Sequence, residues 1–346
     1  MKILMFPGPD TVQHNLYIDI IANTIRAQDV DVQGWRPYEA FKTADVFHVH
    51  WPEIIPFIKI HPRKKYLYPY IEWNFFSTIQ RIKSKGGIIV WTVHNLQPHD
   101  INKLDKAEWE RFITRFSKEV DRYITLTDSS QKEIENLYPE LKGKPNYICH
   151  HPHYELVHKD MSSLRHRFGI REDEAVFGLI GSLTAAKGAD KLINEFMTSI
   201  PDNAVLFLAG KPSPEIEALI DKAQLQNSRI ITVPRFLSDQ EVQDYHQMVD
   251  MTVFLSDTHL NSATVFQSLS NNIPVRLYKT DTNIYIASIV GNQWLSFIDE
   301  NGIINDDLIR TLISNRNRKQ SLCNLTPFSP IEVARQHIEA YTSSND

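Results

Sequence analysis

The residues best suited to chemistry lie just after short apolar runs. His48 and His50 alternate at the end of one run and lead directly into Trp51-Pro52-Glu53. A period of two puts both imidazoles on one side of an extended segment. A later run opens into Trp91-Thr92-Val93-His94-Asn95-Leu96-Gln97-Pro98-His99-Asp100. Histidine, tryptophan, asparagine and carboxylate at strand ends suit sugar recognition, rings covering pyranose faces and polar groups meeting hydroxyls. His-x-His could also chelate a metal, with His150-His151-Pro152-His153 similar in composition, yet no cysteine or carboxylate completes a recognised ligand spacing. For His48 a packed core role is the favoured reading.

A second group is cationic. Lys187-Gly188, Lys211 and Arg235 each follow an apolar run in the second half. Each alone reads as a surface charge; three after successive strands of one sheet share an edge and favour an anion site. A fourth run ends in Ser256-Asp257-Thr258-His259-Leu260-Asn261-Ser262-Ala263-Thr264. Asn261 or Ser262 is a natural N-cap. Small residues there let a pyrophosphate approach the amides at the positive end of a helix, although a plain capped helix accounts for the same stretch.

These residues need strands to carry them. Candidates in the first half are 2–6, 30–35, 45–50, 87–93 and 122–127, with helical periodicity over 17–27 and 107–120. The second half restarts the pattern with strands at 175–181, 204–209, 229–233, 250–255, 274–278 and 294–298. Helices fit at 189–199, 214–224, 238–249, 262–271 and 282–290, and a last one at 330–341. Apolar strands alternating with amphipathic helices indicate parallel sheets covered on both faces. The chain of 346 residues exceeds one ordinary core, so two doubly wound α/β domains are expected. The polar, histidine-rich stretch 150–159 reads as their connection.

Composition narrows the function. A net charge of −5 argues against nucleic acid, since neutralising phosphates needs a basic excess. Only 12 glycines occur, and no Gly-x-Gly-x-x-Gly or Gly-x-x-x-x-Gly-Lys-Ser/Thr loop is present, which counts against dinucleotide oxidoreductases and P-loop ATPases. Asp29-Val30-Asp31 opens a strand and reads as structural. Cys149 and Cys323 stand far apart, as reduced thiols of a cytoplasmic protein would. No run approaches the roughly 20 apolar residues of a membrane span, and Met1–Pro7 lacks the length and cleavage site of a signal peptide. The segment 57–85 interleaves Lys59, Arg63, Lys64, Lys65, Arg81, Lys83 and Lys85 with Tyr66, Tyr68, Tyr70, Trp73, Phe75 and Phe76. It suits an anionic membrane surface, or equally a solvated helix face over a buried aromatic stripe.

Nearly the whole chain resembles a GT-B glycosyltransferase. Phe177–Gly181 through Lys187-Gly188 is similar to the opening of the donor domain, and Leu206–Lys211 to its second strand. The run Arg235–Ser238 through Asp250–Ser256 resembles the loop, helix and strand before the family's phosphate site, and Ser262–Leu269 with Ile273-Pro274-Val275 resembles the donor helix and next strand. Phe328-Ser329-Pro330 with the last helix resembles the C-terminal helix that crosses back to the first domain. His50-Trp51-Pro52-Glu53, Thr92–Leu96 with Pro98-His99, and His151–Tyr154 look like the bacterial exopolysaccharide group that includes the xanthan-type β-mannosyltransferase. Retaining members carry two glutamates eight positions apart at the donor helix; here His259 and Gln267 stand there, and Ser182 replaces an arginine.

The resemblance implies an acceptor domain over 1–155, a nucleotide-sugar domain over 156–328 facing it across a cleft, and a crossing helix with tail over 329–346. It implies transfer from a nucleoside diphosphate sugar, GDP-mannose or a UDP-sugar, to a lipid-linked or saccharide acceptor at the inner membrane face, and the missing glutamate pair favours an inverting over a retaining mechanism. Lys187, Lys211, Arg235, His259, Asn261, Ser262, Ala263, Thr264 and Gln267 would hold the donor, with no metal or other cofactor required. Glu53 or Asp100 would be the base, with His94 positioning donor or acceptor; His50, Trp51, Asn95, His99 and His153 would meet the acceptor. A nucleotide-sugar epimerase of the same fold and a non-catalytic saccharide-binding protein are the alternatives.

Overall fold

The computed structural model describes residues 1–9, 15–37, 42–98, 101–155, 159, 161–198, 203–256, 262–299, 302–316 and 322–343. Contacts divide the chain into two units, Met1–Pro152 with Thr326–Asp346, and His153–Leu325. Among the described residues no helix is long and apolar enough to cross a membrane.

The first unit contains strands β1 (Lys2–Phe6), β2 (Asp31–Gly34), β3 (Val46–Val49), β4 (Ile88–Thr92), β5 (Arg122–Thr125) and β6 (Asn146–Ile148). They form one sheet in the order β2-β1-β3-β4-β5-β6, parallel throughout, with Met5 beside His48 and His48 beside Val90. Its helices are α1 (Leu16–Arg26), α2 (Ile54–Ile60), α3 (Tyr68–Lys83), α4 (Lys106–Glu119) and α5 (Gln131–Leu137). β3 and β5 are buried along their full length, as strands covered on both faces must be. The edge strand β6 was not expected from the sequence. It is only three residues long and partly buried, so it carries no apolar run to read.

The second unit contains α6 (Ser162–Arg167), β7 (Ala175–Ile180), α7 (Ala189–Thr198), β8 (Ala204–Ala209), α8 (Pro214–Gln226), β9 (Ile230–Val233), α9 (Asp239–Met248) and β10 (Met251–Phe254). α10 (Ala263–Ser270), β11 (Val275–Leu277), α11 (Asp281–Val290), β12 (Leu295–Phe297) and α12 (Asp306–Asn315) complete it. The sheet order is β12-β11-β10-β7-β8-β9, so the winding reverses between β7 and β10. In the first sheet the reversal lies between β1 and β3. Ligands of doubly wound sheets bind beyond the strand C-termini at such reversals, where successive connections part to opposite faces.

The last helix, α13 (Pro330–Thr342), belongs with the first unit. Ser329 caps it through the Glu332 amide, and Pro330 opens its first turn. Its buried stripe of Val333, Ala334, His337, Ala340 and Tyr341 has helical spacing. Val333, Ala334, Ala340 and Tyr341 pack into one core with Ile18, Ile21, Ala22 and Ile25 of α1. At its far end the Arg122 guanidinium donates to the Ala340 carbonyl at 2.8 Å and to that of Ser343, satisfying carbonyls left without helical partners.

Candidate active site

At the reversal point of the first sheet, β3 delivers His48 and His50, β4 delivers Thr92 and His94, and α13 brings His337 and Tyr341. His48 is fully buried and bonded on both sides, Nε2 to the Thr92 hydroxyl and Nδ1 to the Tyr341 hydroxyl, each at 2.7 Å. The His50 ring lies 4.0 Å from His48, and its Nδ1 shares a 3.1 Å hydrogen bond with His94 Nε2. Trp51 stacks on His94 at 4.3 Å, and Tyr17 of α1 meets the same ring edge-on at 4.9 Å. Tyr17 is held there because Asn15 caps α1 by accepting from the Tyr17 and Ile18 amides.

Burial is the main cause that pushes His48, His50 and His94 well below the ordinary imidazole range; neighbouring histidines add to it. His151 and His337 fall to about 4 for the same main reason. The cluster is therefore neutral near pH 7. Its rings bond to one another and to hydroxyls and carbonyls, and among the described residues no group of three such side chains is placed to hold a metal ion.

His50, Trp51, Glu53, Trp91, His94, Asn95 and Gln97 line a tight recess with about 10 Å³ of free room, space for one hydroxyl or water. Buried polar atoms without a partner among the described residues include Nε2 of His50 and Nε1 of Trp91. Glu53 precedes α2, and burial raises its carboxyl to about 7. A carboxylate with that affinity can accept a proton from an alcohol and release it again at neutral pH. Tyr138, whose hydroxyl donates to the Leu96 carbonyl at 2.5 Å, closes the recess from α5.

Of the residues singled out from sequence, the fold brings together Glu53, His50, Trp51, His94 and Asn95. His99 and Asp100 lie outside the described residues. His153 groups with the second unit, its Nδ1 3.2 Å from the Tyr154 carbonyl oxygen. His337, Tyr341 and Tyr17 were missed. A signal existed for the first two: His337 and Tyr341 stand four apart on an otherwise apolar stripe of one helix.

In the second unit Lys187 sits at the reversal point. The Leu255 amide after β10 donates to its carbonyl at 3.3 Å. Gly188 beside it has φ +75, and a Cβ there would lie 2.3 Å from that of Leu255, so only glycine lets the two connections touch. Desolvation lowers the Lys187 ammonium, and among the described residues no carboxylate pairs with it. Ser262 holds the N-cap position of α10 with extended backbone, its hydroxyl accepting no capping bond. Ala263 and Thr264 form the first turn, and Gln267 reaches the buried His246. Lys211 instead lies over the Phe236 ring at 4.8 Å, and Arg235 forms a two-point ion pair with Glu241, the residue that completes the α9 capping box. His259 and Asn261 lie outside the described residues.

Two parallel six-stranded units with the last helix on the first constitute the GT-B architecture. Anabaena HepE, solved with UDP and glucose, has a TM-score of 0.67 and 14% identity over 99% of this chain and 100% of its own. Sucrose-phosphate synthase from Thermosynechococcus elongatus gives 0.63 and 13% over 99% and 98%, and the lipopolysaccharide glycosyltransferase WaaG 0.56 and 16% over 99% and 96%. In sequence the chain is 25% identical over 206 residues to alpha-monoglucosyldiacylglycerol synthase of Acholeplasma laidlawii, 58% of this chain. The chain spans 50% of the length of that curated relative. No family model matches.

Proposed function

We propose that the protein is a glycosyltransferase that moves a sugar from a nucleoside diphosphate sugar to a lipid-linked or saccharide acceptor. Glu53 takes the proton of the acceptor hydroxyl as the sugar is transferred with inversion. The observation that carries this reading is a carboxyl with a pKa of about 7 in a recess sized for one hydroxyl, on a GT-B fold. His50 and His94, held neutral, donate or accept hydrogen bonds around that hydroxyl without adding charge. Lys187 and the free amides of α10 stabilise the negative charge that grows on the leaving diphosphate, a role that needs no metal. A structural neighbour solved with UDP and similarity to an alpha-monoglucosyldiacylglycerol synthase support a UDP-sugar donor over GDP-mannose and a lipid acceptor. The test is incubation with nucleotide sugars and candidate acceptors, the anomeric configuration of the product being read by NMR. A product that keeps the donor configuration overturns Glu53 as an in-line base.

Lys187→Ala is expected to weaken UDP binding roughly 10–100-fold, the range for losing a charged hydrogen bond, by isothermal titration. Arg235→Ala is expected to change it little, because Glu241 already engages that guanidinium.

Peripheral membrane contact belongs to the same proposal. Tyr66 and Trp73 are 80% and 61% exposed, and Ile60, Leu67 and Tyr70 are exposed beside them. Arg63, Lys64 and Lys65 have no carboxylate partner among the described residues, whereas Lys59 is paired with Glu108 at 2.8 Å. Each basic residue contributes about 1 kcal/mol near an anionic bilayer. Replacing all three by Gln is therefore expected to weaken sedimentation with phosphatidylglycerol vesicles about 100-fold; unchanged binding removes the membrane claim.

A further inference from the structure

A chain of contacts leads from the last helix to the recess. The Tyr341 hydroxyl lies 2.7 Å from His48 Nδ1, and the Thr92 hydroxyl 2.7 Å from His48 Nε2. Burial keeps that imidazole neutral near pH 7, so only one of its nitrogens carries a proton. One hydroxyl must therefore donate to the ring while the other accepts from it. A phenol, which ionises at about 10, is far more acidic than an alcohol and is the stronger donor. Tyr341 thus donates to Nδ1, and the Nε2 proton of His48 goes to Thr92.

His48 passes that constraint on. Its ring lies against His50, centroid to centroid at 4.0 Å, and His50 Nδ1 shares a 3.1 Å hydrogen bond with His94 Nε2. His50 and His94 line the recess together with Glu53. All three rings are buried, and in a close-packed interior the movement of one displaces the next. The far end of the chain is equally fixed. Arg122 donates to the Ala340 carbonyl at 2.8 Å and to that of Ser343, which holds the backbone on both sides of Tyr341. One turn earlier His337 donates from Nδ1 to the Val333 carbonyl at 2.8 Å, its ring 5.7 Å from that of His48.

We propose that Tyr341 is a positioning residue of the recess: its hydroxyl fixes the proton and the plane of His48, and through His48 the placement of His50 and His94. Tyr341 does not line the recess itself. Its effect on rate rests on the transfer reaction argued above, whereas its effect on the three rings does not. Removing the hydroxyl leaves His48 Nδ1 buried without a donor, and the ring can then carry its proton on either nitrogen.

The test uses the full chain with its histidines labelled with a nitrogen isotope visible to NMR. Long-range proton–nitrogen spectra are expected to show His48 protonated at Nε2 in the wild type. Tyr341→Phe should give a mixture of tautomers at His48 and move the resonances of His50 and His94. It should also lower kcat for sugar transfer roughly tenfold, the effect of one lost buried hydrogen bond, with the donor KM unchanged. Val333→Ala, which opens a cavity in the same buried stripe, is the control. It should lower the urea midpoint and leave kcat as it is. A wild-type His48 protonated at Nδ1 overturns the proposal, as does a Tyr341→Phe enzyme with full kcat or with unmoved His50 and His94 signals. So does an equal loss of kcat in Val333→Ala, which would reduce both effects to packing. If the wild type transfers no sugar yet Tyr341→Phe moves the His50 and His94 signals, the positioning stands and the transfer reading is what fails.

Discussion

Glu53→Gln is expected to lower sugar transfer by roughly 10²–10⁴-fold, the range for losing a general base, and at the same time to stabilise the first unit above pH 7. Both effects follow from one fact. Burial holds the Glu53 carboxyl at about 7 in the folded chain, whereas an unfolded carboxyl ionises near 4.5. The folded state therefore keeps a proton that the unfolded state has already lost. The resulting stability contribution is complete below about 4.5 and disappears as pH rises through 7. Fully expressed, the shift costs about 3 kcal/mol; partial exposure of the side chain reduces this to about 1–3 kcal/mol. Gln has the shape and cannot ionise, so urea unfolding at pH 8 should show that gain, and unfolding at pH 4.5 should show almost none. In the wild type, kcat should rise with pH through an apparent pKa near 7, because only the ionised carboxyl takes a proton. A variant that keeps its rate, or a flat pH profile, would place the base elsewhere, with Asp100 the next candidate.

Such opposition between activity and stability is expected where a charge is kept in a dry place for chemistry. The proposed donor side shows a milder form of it in Lys187, whose ammonium is desolvated without a carboxylate among the described residues.

Every strand but the short edge strand β6 was legible, since most are buried on two faces and so leave near-continuous apolar runs. The predicted 45–50 and 250–255 contract to Val46–Val49 and Met251–Phe254, the polar ends belonging to loops. The recess was legible in part, since Glu53, His94 and Asn95 follow strand ends where doubly wound sheets bind ligands. What periodicity could not show is long-range contact. Tyr341 reaches His48 from 293 residues away, and only the packing of α13 on α1 brings it there. Arg235 shows a different limit. Counting it with Lys187 as an anion ligand ignored a local competitor, for Ser238-x-x-Glu241 is a capping box that holds a carboxylate within its reach.

Acidification from pH 7.5 to 5.5 is expected to lower the stability of the first unit by several kcal/mol, a large share of the stability of an ordinary domain. His48, His50, His94, His151 and His337 are all buried with depressed pKa values, while in the unfolded chain each titrates near 6.5. Below that value the unfolded state binds protons the folded state refuses, so stability falls as pH falls. Each ring that stays neutral costs roughly 1 kcal/mol at pH 5.5, and the five together cost several kcal/mol. Glu53 works in the opposite direction over the same interval and returns about 2 kcal/mol. Five of the six tryptophans, Trp35, Trp51, Trp73, Trp91 and Trp109, lie in the first unit. Their fluorescence in urea therefore reports this unit ahead of the second. The expected slope corresponds to uptake of about four protons on unfolding, and His337→Gln should lower it by one. A first unit equally stable at pH 7.5 and 5.5 would mean that the cluster is open to water or already protonated, and the neutral hydrogen-bond network around the recess would fall with it.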